Sequence, residues 1–240
     1  MTRRLWIADR VAGDRAWITG QNATHLARVL RAHMGQQFLI AADGVSRMAT
    51  IISVSEASAS EDQVEFELGP AVAETRLPRI TVVLSIYKYD RLEWAIEKLT
   101  ELGVTSMVPV ISRRTEPHLA KAAEKRVERW RRIAHEAAQQ SRRSSPPEIE
   151  LPVALSKAMA KVEGSRVVLS ELEENVSLKS ALAGSHPPIV LALGPEGGWA
   201  PEELEAFRTN GWTAASLGST ILRAETAAIA AVAVAMSCLE

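Results

Sequence analysis

The stretch IVLALGPEGGWAPEELEAF, residues 189–207, places five apolar residues directly before a glycine-rich turn and a helix start. The run Ile189–Leu193 is typical of a buried strand. Pro201, followed by acidic residues, is typical of a first helical turn, where a fixed φ and negative charge are both favoured. Gly197 and Gly198 permit positive φ and a close approach to the backbone. The stretch therefore predicts an α/β fold with a ligand site at this turn.

The same turn favours a neutral or cationic ligand over a polyphosphate. It carries the carboxylate of Glu196 and no lysine, and the chain contains neither GxxxxGK[ST] nor GxGxxG. Without a phosphate loop, a nucleotide-hydrolysing protein is disfavoured.

Composition indicates an ordinary globular protein of one or two domains: 240 residues, 47% hydrophobic and 24% charged. The single cysteine excludes internal disulfides and multi-cysteine metal sites, and the five histidines show no metal-ligand spacing. The amino terminus lacks the apolar region of a signal peptide, and the longest apolar run, residues 227–236, is too short to span a membrane. We expect a cytoplasmic protein that binds no metal.

The net charge of −1 hides a basic middle segment, because residues 71–148 carry 15 basic and 10 acidic side chains. Such a zone is typical of a polyanion site. A solvated helix face is an equal alternative for residues 121–132, where acids alternate with the bases.

The first 70 residues are rich in predicted strands, at residues 4–8, 15–18, 37–41, 48–54 and 64–68, with a tight turn at Asp43-Gly44. One helix interrupts them, with Asn22 as its N-cap and Leu26, Val29 and Leu30 on one face. The pattern predicts a small β-barrel domain, followed by a linker at residues 69–78.

Beyond the linker, strands and helices alternate. Strands are predicted at residues 80–86, 107–111, 167–169 and 189–193, and helices at 91–102, 120–140 and 225–239. This alternation predicts a parallel sheet covered by helices. The alanine-rich last helix is a candidate dimer surface, and burial within its own domain is the alternative.

Two strings, LGPEGGWAPEELEAF at 193–207 and SLGSTILRAETAAIAAVAV at 216–234, closely resemble the cofactor-binding region of the RsmE-type methyltransferases. These SPOUT-superfamily enzymes methylate N3 of a uridine in small-subunit ribosomal RNA. The resemblance extends through HLARVLR at 25–31, EKLTELGV at 97–104 and the segment 139–149.

The resemblance implies two domains: a PUA- or OB-like RNA-binding β-barrel at residues 1–70 and a SPOUT α/β trefoil-knot methyltransferase domain at 76–240. It also implies S-adenosylmethionine as cofactor. The cofactor-binding residues that it implies are Glu171, Leu193, Gly194, Pro195, Glu196, Gly197, Gly198, Leu217, Gly218, Ile221, Leu222, Arg223, Thr226 and Ala227.

For catalysis, uracil N3 must lose its proton before it becomes a good nucleophile. We expect Arg223 to stabilise charge on the uracil oxygens or to bind a phosphate, and Glu225 to accept the proton or orient Arg223. A carboxylate that merely favours the helix dipole is the alternative for Glu225. Trp199 is a candidate to pack on a flipped base.

The expected partner is 16S ribosomal RNA or the assembled 30S subunit, bound by a homodimer formed through the C-terminal helix. The candidate RNA-binding residues are Arg28, Arg31, Arg113, Arg114, Arg142 and Arg143. Gln139 stands where the family usually has Glu, and Arg142 where it usually has Gly, so the substrate pocket is expected to differ there. The alternatives are another RNA target, another atom such as a ribose 2′-oxygen, or a non-catalytic assembly factor.

Overall fold

The computed structural model describes residues 4–55, 62–73 and 77–239. The chain divides into two compact units, Met1–Arg76 with Ala138–Pro146 and Leu77–Ala137 with Pro147–Glu240. The sequence boundaries place residues 138–146 in the second domain, whereas the structure groups them with the first unit. One cause is a hydrogen bond of 3.1 Å from the Leu5 N–H to the Gln139 carbonyl.

The first unit is built on a six-stranded sheet. Its strands are β1 (Trp6–Ile7), β2 (Arg10–Ala12), β3 (Arg15–Thr19), β4 (Gln37–Ala42), β5 (Val45–Ser55) and β6 (Gln63–Ala71). Their order is β1-β4-β5-β6-β3-β2, antiparallel except for β1 beside β4. Asp43 and Gly44, both at positive φ, form the tight turn between β4 and β5. The core comprises Trp6, Ile18, Leu26, Ile40, Ile51 and Phe66 among others.

The helix predicted in the first unit differs from the structure at both ends. Helix α1 (Gly20–Thr24) begins before Asn22, with Thr19 as its N-cap residue, and continues as a π-helix over His25–Val29. The wider π turn changes the register, so Leu26 is buried while Val29 and Leu30 are 65% and 37% exposed. The predicted apolar face therefore does not form.

The predicted linker begins later than expected. Strand β6 continues to Ala71, which pairs with Arg47 of β5, so residues 69–71 belong to the sheet. Residues 74–76, the middle of the predicted linker, lie outside the described residues.

The second unit contains a seven-stranded sheet in which every pair is parallel. Its strands are β7 (Ile80–Ser85), β8 (Ser106–Ile111), β9 (Glu148–Ile149), β10 (Val153–Ala154), β11 (Ser165–Leu169), β12 (Ile189–Leu193) and β13 (Thr213–Ala215). The order is β10-β8-β7-β12-β11-β13, with β9 also beside β8. The continuous apolar runs of β7 and β12 fit their central places, and the predicted α/β class is confirmed.

Helices cover this sheet: α2 (Tyr89–Glu101), α3 (Pro117–Ala122), α4 (Val127–Gln140), α5 (Leu155–Lys161), α6 (Leu178–Ala181), α7 (Pro201–Thr209) and α8 (Ala224–Leu239). The single helix predicted at 120–140 is wrong, because a 3₁₀ turn at Glu124–Arg126 separates α3 from α4. Leu119, Ala123 and Val127 remain buried on the two sides of this turn. No helix in the described part of the chain is long and apolar enough to cross a membrane.

Helix α8 packs one face within its own unit. Ala228, Ala231, Val232 and Ala235 are buried in the core that also contains residues of α2. The alanine content thus serves close packing within the unit on this face, while Ala233 on the other side is exposed.

Candidate active site

A cavity opens at the carboxyl ends of three adjacent strands, β12, β11 and β13, which is where open α/β sheets bind ligands. Its walls are Leu169, Ser170, Glu171, Leu193, Gly194, Pro195, Glu196, Gly198, Ser216, Leu217, Gly218, Ser219, Thr220, Ile221, Leu222, Ala224 and Ala227. These described residues include two carboxylates and neither lysine nor arginine. The cavity is therefore suited to a neutral or cationic ligand.

The glycine loop, residues 194–198, forms one wall of the cavity. The Gly198 N–H donates to the Pro195 carbonyl at 2.9 Å, which closes the turn. Gly198 has φ of 69°, and a Cβ there would lie 2.1 Å from Oε1 of Glu171. The backbone conformation favours glycine at this position, and a side chain there would have to push the exposed Glu171 carboxylate aside.

Trp199, directly after the glycine loop, is a core residue. Its Nε1 donates to the Leu169 carbonyl at 3.1 Å, and its ring packs edge-on against Phe207 at 4.9 Å. The side chain is almost fully buried. The expectation that Trp199 packs on a flipped base is therefore wrong, because its ring and its N–H are already used inside the unit.

The second loop, residues 217–222, forms the opposite wall. Within the described chain, none of its backbone N–H groups donates a hydrogen bond to protein. Gly218 has φ of 122°, and Ile221 is 86% exposed although it lines the cavity. Unpaired N–H groups beside an exposed apolar side chain can bind a ligand that has both a polar edge and an apolar face.

Arg91, near the start of α2, lies beside the cavity and was not predicted from the sequence. Its Nη1 donates to Oε1 of Glu196 in the glycine loop, and its Nε lies 3.9 Å from Oε1 of Glu225. Strand β7 ends at the same edge as β12, so a search of the residues just after β7 could have found it.

Glu225, at the start of α8, is only 5% exposed. Its Oε2 has no hydrogen-bond partner among the described residues. A buried carboxylate oxygen without a donor is costly, so this atom is available to a proton or to a ligand donor. The helix N-terminus also favours its negative charge.

Tyr87 is buried near this group, and its hydroxyl has no partner in the described part of the protein. Burial raises the pKa of the Tyr87 phenol well above its usual range, the charges of Glu225 and Glu196 raise it further, and Arg91 opposes them. The phenol is therefore a neutral O–H donor.

Three of the predicted cofactor-binding residues, Gly197, Arg223 and Thr226, do not line the cavity. Gly197 lies within the glycine loop, and its carbonyl accepts a hydrogen bond from Nη1 of Arg114. Arg223 and Thr226 are exposed at the start of α8. The Arg223 carbonyl accepts the Ala227 N–H at 2.8 Å, which fixes the backbone but leaves the guanidinium at the surface.

Of the predicted RNA-binding arginines in the second unit, Arg113 and Arg114 follow β8. Nε of Arg113 lies 3.7 Å from Glu202, and Arg114 contacts the glycine loop. Both are exposed, so each keeps donors at the surface near the cavity wall.

The arginines of the first unit differ from one another. Arg28 donates from Nε and Nη2 to both oxygens of buried Asp62, at 3.0 and 2.9 Å, which reduces the charge it can offer to RNA. Arg31 is exposed at φ of 51°, and Arg142 is exposed at φ of 61°. Burial lowers the pKa of the Arg143 guanidinium to about 10, which leaves it charged at neutral pH.

No cluster of three or more metal-ligating side chains occurs within residues 4–55, 62–73 and 77–239.

The chain is similar in sequence to a known family and to named relatives. The RNA methyltransferase domain family matches residues 74–236. The chain is 34% identical to the ribosomal RNA small subunit methyltransferase E of Mycobacterium bovis, over 96% of this chain and 90% of that protein. It is 33% identical to the Synechocystis protein of the same name, over 100% of this chain and 79% of that protein.

A solved structure of a protein with the same name is similar to the whole chain. The ribosomal RNA small subunit methyltransferase E from Neisseria gonorrhoeae, crystallised with S-adenosyl methionine, aligns with a TM-score of 0.84 and 26% identity over 98% of each chain. The similarity covers both units and includes the cavity at the carboxyl ends of β11, β12 and β13. Because of this similarity in sequence and domain family, the chain belongs to the ribosomal RNA small subunit methyltransferase E family.

Proposed function

We propose that this protein transfers a methyl group from S-adenosylmethionine to N3 of a specific uridine in the 16S ribosomal RNA of the small subunit. The observation that carries the proposal is the cavity between the glycine loop and the second loop, with its carboxylates, its unpaired N–H groups and no basic side chain. The relatives' names support the RNA class, and the Neisseria complex supports the cofactor.

The cavity fits such a cofactor on chemical grounds. Leu193, Leu222 and Ala227 offer apolar surface to an adenine ring, and the N–H groups of the second loop offer donors to its polar edge. Glu171 and Glu196 are compatible with a sulfonium cation. The cofactor residues inferred from the family, including Pro195, Leu217 and Gly218, are proposed to surround it.

When bound, S-adenosylmethionine supplies a methyl group whose bond to sulfur breaks as the bond to N3 forms, the electron pair leaving on a neutral thioether. We assign the N3 proton to Oε2 of Glu225, the buried oxygen that lacks a donor. Arg223 stabilises the negative charge that develops on the uracil oxygens, or binds an adjacent phosphate.

The second unit is proposed to form the trefoil knot of its family, and the first unit a PUA-like barrel. The central β7-β12 pairing, which joins distant segments, and the largely antiparallel first sheet support these assignments. An experimental structure traced through the second loop and α8 would test the knot directly.

RNA docking is assigned to Arg31, Arg113, Arg114, Arg142 and Arg143, with a smaller contribution from Arg28, whose charge is paired with Asp62.

A homodimer through α8 is proposed from the exposed small residue Ala233 on the face opposite the core. Light scattering tests it, since a monomeric mass at micromolar concentration contradicts the dimer. The reaction is expected to occur in the cytoplasm, where ribosomal subunits are assembled.

The deciding experiment transfers labelled methyl groups to 30S subunits, and in parallel to naked 16S RNA, from a strain that lacks this protein. Nucleoside analysis should give 3-methyluridine, and Arg223→Ala and Glu225→Gln should each lower the rate by at least about 100-fold. Glu205→Gln, an exposed carboxylate paired with Arg208, is the matched control.

Other products separate the alternatives. A 2′-O-methylated nucleoside would show that the methyl group goes to a ribose oxygen and not to N3. Cofactor binding without transfer to either substrate would favour an RNA-binding assembly factor over an enzyme. Full activity of Glu225→Gln would remove the proton-acceptor role and leave the helix-dipole role.

A further inference from the structure

Arg91 lies between two carboxylates at the edge of the cavity. It donates from Nη1 to Glu196 and lies 3.9 Å through Nε from Glu225, whose second oxygen lacks a partner among the described residues. The three side chains carry one positive and two negative charges. One negative charge is therefore left uncompensated.

That charge adjoins the cavity. Glu196 is part of its wall, and Glu225 lies on α8 between Ala224 and Ala227, which both line it. Because Glu225 is almost fully buried, its field is screened by water less than that of a surface carboxylate.

The Tyr87 phenol lies within the same field. After burial, the largest influences on its pKa are Glu225 and Glu196, while Arg91 acts in the opposite direction. The three charges therefore converge on one small volume beside the cavity, and the carboxylates predominate there.

We infer that Arg91, Glu196 and Glu225 form a charge-selecting group that makes the cavity prefer the cationic sulfonium cofactor to its neutral thioether product. The inference rests on the proposed function. Methyl transfer removes one positive charge from the ligand and leaves the N3 proton on Glu225. Once this proton has passed to solvent, the restored carboxylate attracts the cationic cofactor more strongly than the neutral thioether. The group thereby favours exchange of product for fresh cofactor.

The test is calorimetric binding of S-adenosylmethionine and S-adenosylhomocysteine, which differ by the methyl group and its charge. The measured quantity is the ratio of the thioether Kd to the sulfonium Kd. Glu196→Gln and Glu225→Gln should each lower this ratio about fivefold, and Arg91→Gln should raise it by a similar factor.

Two variants serve as controls. Arg91→Lys keeps the charge, and Glu205→Gln removes a carboxylate that is exposed on α7 and paired with Arg208, so both should keep the ratio of the unaltered protein. If the group had only a structural role, the charge variants would bind both ligands more weakly by the same factor, and the ratio would not change.

An unchanged ratio in all three charge variants would overturn the inference, even if the unaltered protein forms 3-methyluridine. If the unaltered protein binds neither ligand, the proposed function fails and the inference falls with it. A shifted ratio together with 3-methyluridine formation would support both.

Discussion

The carboxylate of Glu203 accepts a hydrogen bond of 2.7 Å from the backbone N–H of Arg113, a residue 90 positions earlier in the chain. Its other oxygen accepts the Ala200 N–H at 2.9 Å. Ala200 has no side-chain acceptor, so this is only the reciprocal half of a capping box. One buried side chain thus caps α7 and fixes the segment that follows β8, next to the glycine loop.

Glu203→Gln should therefore lower the free energy of unfolding by about 1–3 kcal/mol, because glutamine has one acceptor oxygen for two backbone donors and turns an NH₂ group toward the second. Urea denaturation measures the loss. Glu202→Gln, an exposed neighbour with only a 3.7 Å pairing to Arg113, should change stability by less than about 0.5 kcal/mol. Equal effects of the two substitutions would contradict this role.

Gly198→Ala should weaken cofactor binding, because the added Cβ would lie 2.1 Å from Oε1 of Glu171 and push this carboxylate out of its place in the cavity wall. Gly184→Ala is the matched control, since Gly184 also has positive φ, at 74°, but has open space around it. Both should lose about 1 kcal/mol of stability through backbone strain. Only Gly198→Ala should lose affinity in calorimetry, and normal binding by this variant would show that the position of the Glu171 carboxylate does not matter for the cofactor.

Arg28→Gln and Arg31→Gln remove the same charge from positions three residues apart and should behave differently. Losing Arg28 leaves the buried Asp62 carboxylate without its two guanidinium donors, which should cost roughly 2 kcal/mol in denaturation. Losing Arg31 should leave stability nearly unchanged and reduce the salt slope of RNA binding by about 1. Filter binding over a salt series would refute the distinction if both variants changed the slope equally.

The buried Tyr87 phenol should make the stability of the protein depend on pH in the alkaline range. Its folded-state pKa lies above the value of 10.0 for an unfolded chain, so stability due to this group is complete below pH 10 and falls as pH rises further. Absorbance titration of the folded protein should show tyrosinate appearing later than in urea. Tyr87→Phe should reduce the alkaline loss, and at neutral pH should leave stability equal or up to about 1 kcal/mol higher, since the hydroxyl has no partner. A marked loss at neutral pH would reveal a hydrogen bond to this hydroxyl.

The elements predicted well from sequence are those with a strong local signal. The strand Ile189–Leu193, the helix that begins at Pro201 and the turn at Asp43-Gly44 depend on neighbouring residues, and all three occur where expected. The π-helix was not predicted, because the apolar spacing of Leu26, Val29 and Leu30 fits an ordinary α-helix and carries no signal of the wider turn. Arg28 within it also binds the Asp62 carboxylate, a contact 34 residues away that local sequence does not show.

In the candidate site, too, features with a local sequence signal were predicted and contacts between distant residues were not. The two glycine-bearing loops were found from their motifs, and most of the residues assigned to the cofactor line the cavity. Arg91 and Arg114 were not connected to the glycine loop, because their contacts with Glu196 and Gly197 arise only when separate strands end at one edge. Arg142 has φ of 61°, a conformation that glycine adopts more readily than arginine, which agrees with the glycine expected there from the sequence resemblance.

The pairing of β7 with β12 has a consequence for synthesis of the chain. Ile80 of β7 pairs with Ile189 of β12, so one edge of the largely buried strand β7 stays open until the intervening residues have been translated. An apolar strand with an open edge readily pairs with another chain, and its native partner arrives last of the central strands. Slow translation should therefore promote aggregation of nascent chains, and a chaperone that covers β7 during translation should raise the yield of folded protein.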